Sequence, residues 1–175
     1  MKVVSISGSL RELSSNTAVL QAAERLAPLS MAIERYRGLS TLPHFNPDLG
    51  AYPPAGILAL RALMDACEAL LISCPKYARG IPGAFKNMLD WLVGSPNFHG
   101  KRVALFNASP RTTAAQDALR LVLTTMAAEI VEGACITIDL LSRRLDAEAI
   151  AADPDLSRMI SEALDRLLQS ADAKA

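Results

Sequence analysis

The sequence predicts an α/β domain in which a parallel sheet is covered by helices on both faces. Short runs rich in β-branched or apolar residues alternate five times with segments of helical periodicity. One strand candidate, Glu68–Cys74, is apolar nearly throughout, as expected when both faces of a sheet are covered. A chain of 175 residues suits one domain with one sizeable core. We therefore expect a single domain over residues 1–175, with right-handed crossovers between its strands.

The first half of the chain is predicted to hold two strand–helix units and a long loop. We expect Asn16 to cap the first helix and Pro28 to end it. Four prolines, at positions 43, 47, 53 and 54, mark residues 38–54 as a surface loop. The elements expected here are strand Lys2–Ser7, helix Asn16–Ala27, strand Met31–Tyr36 and helix Ala55–Ala66.

The second half continues the alternation of strands and helices. Pro82 suits the first turn of a helix, and Pro154 is expected to interrupt the last one. Residues Ser170–Ala175 are expected to form a loose tail. The elements expected here are strand Glu68–Cys74, helix Pro82–Val93, strand Arg102–Ala108, helix Thr113–Ala128, strand Cys135–Ile138 and helix Asp146–Leu168.

The charge balance and the apolar pattern exclude several classes of partner. Lysine plus arginine equals aspartate plus glutamate at 18 each, so no global field attracts nucleic acid or an anionic membrane. No apolar run approaches the ~20 residues needed to span a bilayer, and the N-terminus has no secretory pattern. We expect a cytoplasmic protein without nucleic-acid or membrane partners.

The three cysteines do not predict a disulfide or a metal site. Cys67, Cys74 and Cys135 are odd in number, far apart and without metal-binding spacing. Cys74 ends a strand beside a candidate site, where a chemical role is the alternative to the usual role of a small buried hydrophobe.

Polar residues after the first strand predict an anion site. Gly8 permits a tight turn, and Arg11 offers bidentate contacts to phosphate oxygens. The segment lies at a helix N-terminus, whose free N–H groups favour an anion. The alternative is an ordinary polar loop with capping residues. Neither a triphosphate-binding P-loop nor a Rossmann glycine motif is present, which favours a phosphate monoester. The polar candidates are Ser9, Arg11, Ser14, Ser15, Asn16 and Thr17.

The loops after the third and fourth strands are expected to complete the site. Two prolines and two glycines within residues 75–83 indicate a stiff loop whose N–H groups can face a flat heterocycle, and Tyr77 can pack against that ring. The alternative is a simple turn before a helix. After the fourth strand, Ser109 and Arg111 can close a third side, although Arg111 is equally plausible as a surface charge.

The helix after the third strand is apolar around more than one face. Its stripe includes Phe85 and Met88, and Ala84 and Trp91 widen it. A helix of this kind is usually covered on two sides. We expect it to pack against a second copy of the chain; the alternative is a tryptophan buried within its own domain.

Two motifs resemble those of the NAD(P)H-dependent FMN reductases, a family that includes chromate, quinone and azo reductases. They are Gly-Ser-Leu-Arg-x-x-Ser-x-Asn at residues 8–16 and Pro-x-Tyr-x-x-x-x-Pro-Gly-x-x-Lys-Asn-x-x-Asp-Trp at residues 75–91. The similarity extends over nearly the whole chain. It implies a flavodoxin-like three-layer α/β/α sandwich, a five-stranded parallel sheet of order 2-1-3-4-5, and a homodimer or homotetramer.

The resemblance also implies a cofactor and its contacts. Ser9, Arg11, Ser14 and Asn16 would hold the FMN phosphate, beside Ser15 and Thr17. The ring would be bordered by Pro75, Lys76, Tyr77 and the backbone through Ala78, Arg79 and Gly80, and Ser109 onward would complete the pocket. Many members carry Glu at position 76, Asn at 78 and a glycine-rich turn at 110–113, where this chain differs.

The implied activity passes hydride from NADPH or NADH through FMN to a quinone, an azo compound, a metal oxyanion or free flavin. FMN carries the chemistry, so no catalytic side chain and no metal are expected, and His44 and His99 are expected at the surface. Lys76 is a candidate for stabilising the reduced flavin, and Arg79 or Arg111 for the additional phosphate of NADPH. The alternatives are a flavodoxin-type electron carrier, which the zero net charge disfavours, and a cofactor-free scaffold.

Overall fold

The computed structural model describes residues 1–11, 13–110, 113–140 and 143–172, and in it a parallel sheet lies between two layers of helices. The strands are β1 Lys2–Ser7, β2 Ala32–Arg35, β3 Ala69–Ser73, β4 Arg102–Asn107, β5 Glu129–Ile130 and β6 Ile136–Thr137. The helices are α1 Ser15–Leu26, α2 Ala55–Ala66, α3 Gly83–Leu92, α4 Thr113–Thr125, α5 Ala147–Ala152 and α6 Pro154–Asp172.

The strand order β2-β1-β3-β4-β5 confirms the expected topology. Every one of these neighbouring pairs is parallel. The carboxyl ends of β1, β3 and β4 therefore lie side by side at the middle of one sheet edge. The loops that follow these three strands are the ones that the sequence identifies as candidate binding loops, and ligands of open α/β sheets bind at such an edge.

Each face of the sheet has its own hydrophobic cluster. Leu71 of β3 packs with residues of α1, α5 and α6, whereas its neighbour Leu70 packs with residues of α2, α3 and α4. All five residues of β3 are buried, which confirms that helices cover both faces of this strand. Among the described residues, no helix is long and apolar enough to cross a membrane.

The fifth strand differs from its prediction. The expected strand Cys135–Ile138 is reduced to β6, whose two residues pair with Phe106 and Asn107 of β4. A second short segment, β5, pairs with the start of β4 and was not predicted. A helical turn over residues 132–134 separates β5 from β6. Two residues are too few to show the alternation by which a strand is recognised in a sequence.

Two helix boundaries also correct the sequence analysis. Ser14, not Asn16, caps α1: its Oγ accepts from the N–H of Asn16 at 3.3 Å, and its backbone is extended. Residues 170–172 are helical rather than loose, because α6 continues to Asp172 and the Ser170 hydroxyl donates to the Leu167 carbonyl at 2.6 Å. Residues 173–175 of the expected tail lie outside the described residues. The interruption near Pro154 is confirmed by the separation of α5 and α6.

The chain's own loop covers the second side of α3. Nε1 of Trp91 and Nδ2 of Asn87 both donate to the carbonyl of Pro43 at 2.9 Å. Oδ1 of Asn87 accepts from the N–H of Phe45 at 2.7 Å, and the Phe45 ring meets Trp91 edge-on at 5.1 Å. Trp91 is fully buried within its own chain. This agrees with the alternative interpretation of the sequence, in which the tryptophan is buried in its own domain. The apolar width of α3 therefore does not require a partner subunit, and oligomerisation stays a prediction.

Candidate functional site

The N-terminus of α1 and the loop before it form a polar cradle. A helix leaves its first N–H groups without intrahelical partners and carries positive potential at this end. Ser15, Asn16 and Thr17 occupy the first turn, after the cap residue Ser14. Ser9 is nearly buried, and its Oγ accepts from the N–H of Arg11 at 3.2 Å, whereas the Arg11 side chain is exposed. The arrangement offers N–H groups, hydroxyls and one exposed cation to an anion.

Ser7 supports this cradle from below. Its Oγ accepts from the N–H of Ser9 at 3.3 Å and from the hydroxyl of Thr17 at 3.0 Å. The hydroxyl of Thr17 therefore donates its hydrogen bond to Ser7 and not to a ligand. Ser7 was not among the residues identified from the sequence, because one serine within a β-branched strand carries no distinctive signal.

The loops after β1 and β3 are in direct contact. The N–H of Gly8 donates to the Ser73 carbonyl at 2.8 Å, and the Ser73 hydroxyl donates to Oδ1 of Asn16 at 2.9 Å. A Cβ on Gly8 would lie 2.7 Å from Sγ of Cys74 and 3.2 Å from Cδ of Pro75. The polar cradle and the start of the loop after β3 are therefore packed directly against each other.

The loop after β3 contains a tight two-residue turn. Tyr77 and Gly80 exchange backbone hydrogen bonds of 3.2 and 2.9 Å, and the residues between them, Ala78 and Arg79, have φ values of 48° and 63°. This is the pattern of a type I′ turn, which normally carries Asn or Gly. The side chains of Lys76, Tyr77 and Arg79 are exposed on this turn. Its left-handed backbone, unusual for Ala and Arg, is the kind of local strain found at functional loops.

The loop after β4 contributes a buried serine. Ser109 follows β4 directly, is 4% exposed, and receives support from Asn107, whose Oδ1 accepts from the Ser109 N–H at 3.3 Å. Because β4 adjoins β3, Ser109 lies on the same sheet edge as Pro75. Arg111, the other candidate of this loop, lies outside the described residues, as does Thr112.

The thiol of Cys74 lies at the base of the site as a neutral group. Burial raises the pKa of Cys74 to about 12, so the thiol stays protonated at physiological pH. All three cysteines lie within the described residues and are free thiols. His44 and His99 are exposed in loops, as expected.

An open cavity of about 270 Å³ lies between α4 and the strands β4 and β6. Its polar lining includes Arg120 and Glu132, which form an ion pair of 2.5 Å, and Cys135, whose Sγ accepts from the N–H of Leu105 at 3.4 Å. These groups bind one another and flank the sheet rather than its loop edge. The cradle at α1, which combines an anion site with the contact to the loop after β3, is the better candidate site.

Residues 1–140 match the family model of the NADPH-dependent FMN reductases. The chain belongs to this family. An NAD(P)H-dependent FMN reductase of Pseudomonas aeruginosa is 34% identical to it over 174 residues, which cover 95% of this chain and 93% of the relative. A quinone reductase of Escherichia coli is 30% identical over 113 residues, 62% of this chain and 60% of that protein. The solved structure of a flavoenzyme NAD(P)H:(acceptor) oxidoreductase from Paracoccus denitrificans shares 26% identity, with a TM-score of 0.75 and coverage of 96% of this chain and 97% of that one.

Membership confirms the resemblance seen in the two sequence motifs. As an FMN reductase, the chain is an oxidoreductase that uses FMN and NAD(P)H. The cradle fits a phosphate-bearing flavin, because the α1 N-terminus presents N–H donors to an anion and the loop after β3 packs directly against it.

Proposed function

We propose that this FMN reductase binds FMN on the loops after β1, β3 and β4 and reduces a small acceptor, such as a quinone, an azo compound, a metal oxyanion or free flavin. One observation carries the proposal: the anion cradle at α1 is joined to the loop after β3 through Gly8, Ser73 and Asn16. A phosphate and a flat ring at opposite ends of one ligand match these two parts.

In this proposal the cradle holds the phosphate. The N–H groups of the first turn of α1 face it, together with the hydroxyls of Ser9 and Ser14 and the amide of Asn16. Arg11 is exposed, so its guanidinium can turn to the phosphate and make a bidentate contact. Ser15 contributes its backbone N–H, and Thr17 stabilises the cradle through its bond to Ser7.

The stiff loop after β3 borders the ring. Pro75 fixes the entry to the loop, and the turn between Tyr77 and Gly80 holds Ala78 and Arg79 in one conformation. FMN accepts and donates hydride when bound, so the protein's task is to hold the ring and leave one face open. Lys76, which is exposed at the start of this loop, is the residue whose charge we propose to favour the reduced flavin. Arg79 is exposed and can meet the additional phosphate of NADPH, a role in which Arg111 is the second candidate.

Self-association is part of the proposal. Leu10 and Leu13, in the loop after β1, are 57% and 88% exposed, and Tyr52 is 89% exposed. Large apolar side chains at a ligand-binding edge favour contact with a second copy. A homodimer or homotetramer is expected by light scattering, whereas monomer alone at micromolar concentration would contradict it. We also propose a cytoplasmic location, since free thiols and use of NAD(P)H are typical of that compartment.

The test is oxidation of NADPH and NADH by purified protein with and without FMN, over a panel of acceptors. We expect oxidation that depends on FMN and on the acceptor. Bound FMN that NAD(P)H does not bleach would indicate an electron carrier, and protein that stays colourless after incubation with FMN and desalting would indicate a scaffold. Arg11→Ala should weaken FMN binding, whereas Arg25→Ala, an exposed change in the last turn of α1 and away from the cradle, should not.

A further inference from the structure

Ser73 is a fully buried polar residue at the last position of β3. Its side chain is 0% exposed, and the preceding strand residues are apolar. The hydroxyl donates to Oδ1 of Asn16, the second residue of α1, at 2.9 Å. Because an unsatisfied buried hydroxyl is costly, this bond is expected to persist in the folded protein.

The bond determines which end of the Asn16 amide is available to a ligand. A carboxamide has an acceptor oxygen at one end and two N–H donors at the other. With Oδ1 bound to Ser73, the Nδ2 end is left for the polar cradle, beside the Ser14 cap. The reverse orientation would present an oxygen lone pair to any anion bound there.

Ser73 also holds the other end of the cradle. Its carbonyl accepts from the N–H of Gly8 at 2.8 Å, so one residue binds both the first and the last residue of the segment 8–16. Ser73 therefore influences both the shape of the segment 8–16 and the direction in which the Asn16 amide presents its N–H donors.

We infer that Ser73 is a positioning residue for phosphate recognition: it holds Asn16 Oδ1 so that Asn16 Nδ2 donates to a phosphate monoester, and it thereby makes the site prefer FMN to riboflavin. This inference rests on the proposed function. Riboflavin carries the same ring but no phosphate, so the ratio of the two affinities reports on the cradle alone.

The experiment titrates flavin-free protein with FMN and with riboflavin and follows the quenching of flavin fluorescence. In Ser73→Ala we expect the Kd for FMN to rise about tenfold and the Kd for riboflavin to change less than about twofold, as for loss of one hydrogen bond to a charged group. Ser73→Cys keeps the side-chain volume with a weak donor and should give a smaller loss; it replaces the alanine variant if that fails to fold.

Ser5→Ala is the matched control. Ser5 is also a fully buried strand serine, and its hydroxyl donates to Oε1 of Glu24 on the same helix at 3.1 Å. Its loss should lower stability to a similar degree and leave the ratio of the two affinities unchanged. A general loosening of α1 would change both variants alike and would overturn the inference.

Asn16→Asp provides the complementary test. It keeps an acceptor for Ser73 and replaces the donor with a carboxylate oxygen, so the preference for FMN should fall at least as far as in Ser73→Ala. If wild-type protein shows no preference for FMN, the proposed phosphate site is wrong. If the wild type prefers FMN and the Ser73 variants keep that preference, the inference is overturned while the proposed function stands.

Discussion

Gly8 and Cys74 lie so close that a methyl group on Gly8 would sit 2.7 Å from the Cys74 Sγ. The two residues directly follow the adjacent strands β1 and β3, and their contact brings the polar cradle against the loop proposed to border the flavin ring. The absence of a side chain at position 8 is therefore a condition for the geometry of the site. Gly8 has no positive φ, so steric fit and not backbone conformation requires glycine here.

Gly8→Ala should damage both the fold and the site. The new methyl group meets the Cys74 Sγ and also the backbone of Cys74 at 3.2 Å, so the two loops must separate. We expect a loss of about 1–3 kcal/mol in the free energy of unfolding, as for other overpacked positions, together with weaker FMN binding. Urea denaturation and FMN titration measure the two effects.

Gly56→Ala is the control for this substitution. A Cβ at Gly56, in α2, meets no atom within 4 Å, so the change should be neutral or stabilise by up to about 1 kcal/mol. Removing Sγ in Gly8→Ala/Cys74→Ala should recover part of the lost stability. A Gly8→Ala protein with unchanged stability and FMN affinity would refute the close approach of the two loops.

Ala78→Asn should stabilise the turn after β3. Ala78 has a φ of 48°, a conformation that costs a residue with a Cβ roughly 1–2 kcal/mol and that Asn tolerates better than Ala. We expect a gain of about 0.5 kcal/mol in urea denaturation. Ala127→Asn, at a second left-handed position with a φ of 59°, should give a similar gain far from the flavin loops. Destabilisation by Ala78→Asn alone would mean that the turn has another conformation.

Asn87→Ala should release the loop that covers α3. The change removes one donor to the Pro43 carbonyl and the acceptor of the exposed Phe45 N–H, at an expected cost of about 0.5–1.5 kcal/mol. Trp91 is the only tryptophan of the sequence, so its fluorescence should shift to longer wavelength as water reaches the ring. Lys86→Ala, which removes an i,i+4 surface ion pair with Asp90 on the same helix, should leave the emission unchanged. If Trp91 in Asn87→Ala still emits at the short wavelength of a buried tryptophan, the proposed role of Asn87 is contradicted.

Cys74 should make the protein less stable at alkaline pH. Burial raises its pKa from 9.0 to about 12, so above pH 9 the unfolded chain releases a proton that the folded chain keeps. Stability should therefore fall between pH 9 and about 12, by at most about 1.4 kcal/mol per pH unit from this group. Urea denaturation across this range should show a steeper decline in wild-type protein than in Cys74→Ala. Parallel curves would show that the thiol is accessible to solvent.

The sequence predicts the architecture well where patterns are long. The apolar strand β3, the helix α2 and the break at Pro154 follow directly from periodicity and from proline chemistry. The outermost strands β5 and β6 do not follow from the sequence, because they have two residues each and their pairing with β4 is decided by tertiary contact. The cap of α1 was assigned to Asn16 because Asn and Ser are nearly equivalent caps, and only the backbone geometry distinguishes Ser14.

The candidate site divides in the same way. Its polar loops were visible because they follow strands whose carboxyl ends meet at one edge. Ser73 and Ser7 were missed, since single serines inside strands have no local pattern, and their value lies in bonds to residues that are distant in the sequence. Asn87 and Trp91 belong to a recognised motif, yet their shared acceptor, the Pro43 carbonyl, is visible only in the folded chain.

A crystal structure of the protein with FMN tests the central claim most directly. The account predicts phosphate oxygens within about 3 Å of the Ser14 hydroxyl, the Asn16 amide and the N–H groups of the first turn of α1, with the ring against the loop after Pro75. Phosphate bound elsewhere, for example in the cavity between α4 and β6 beside Arg120, would contradict it.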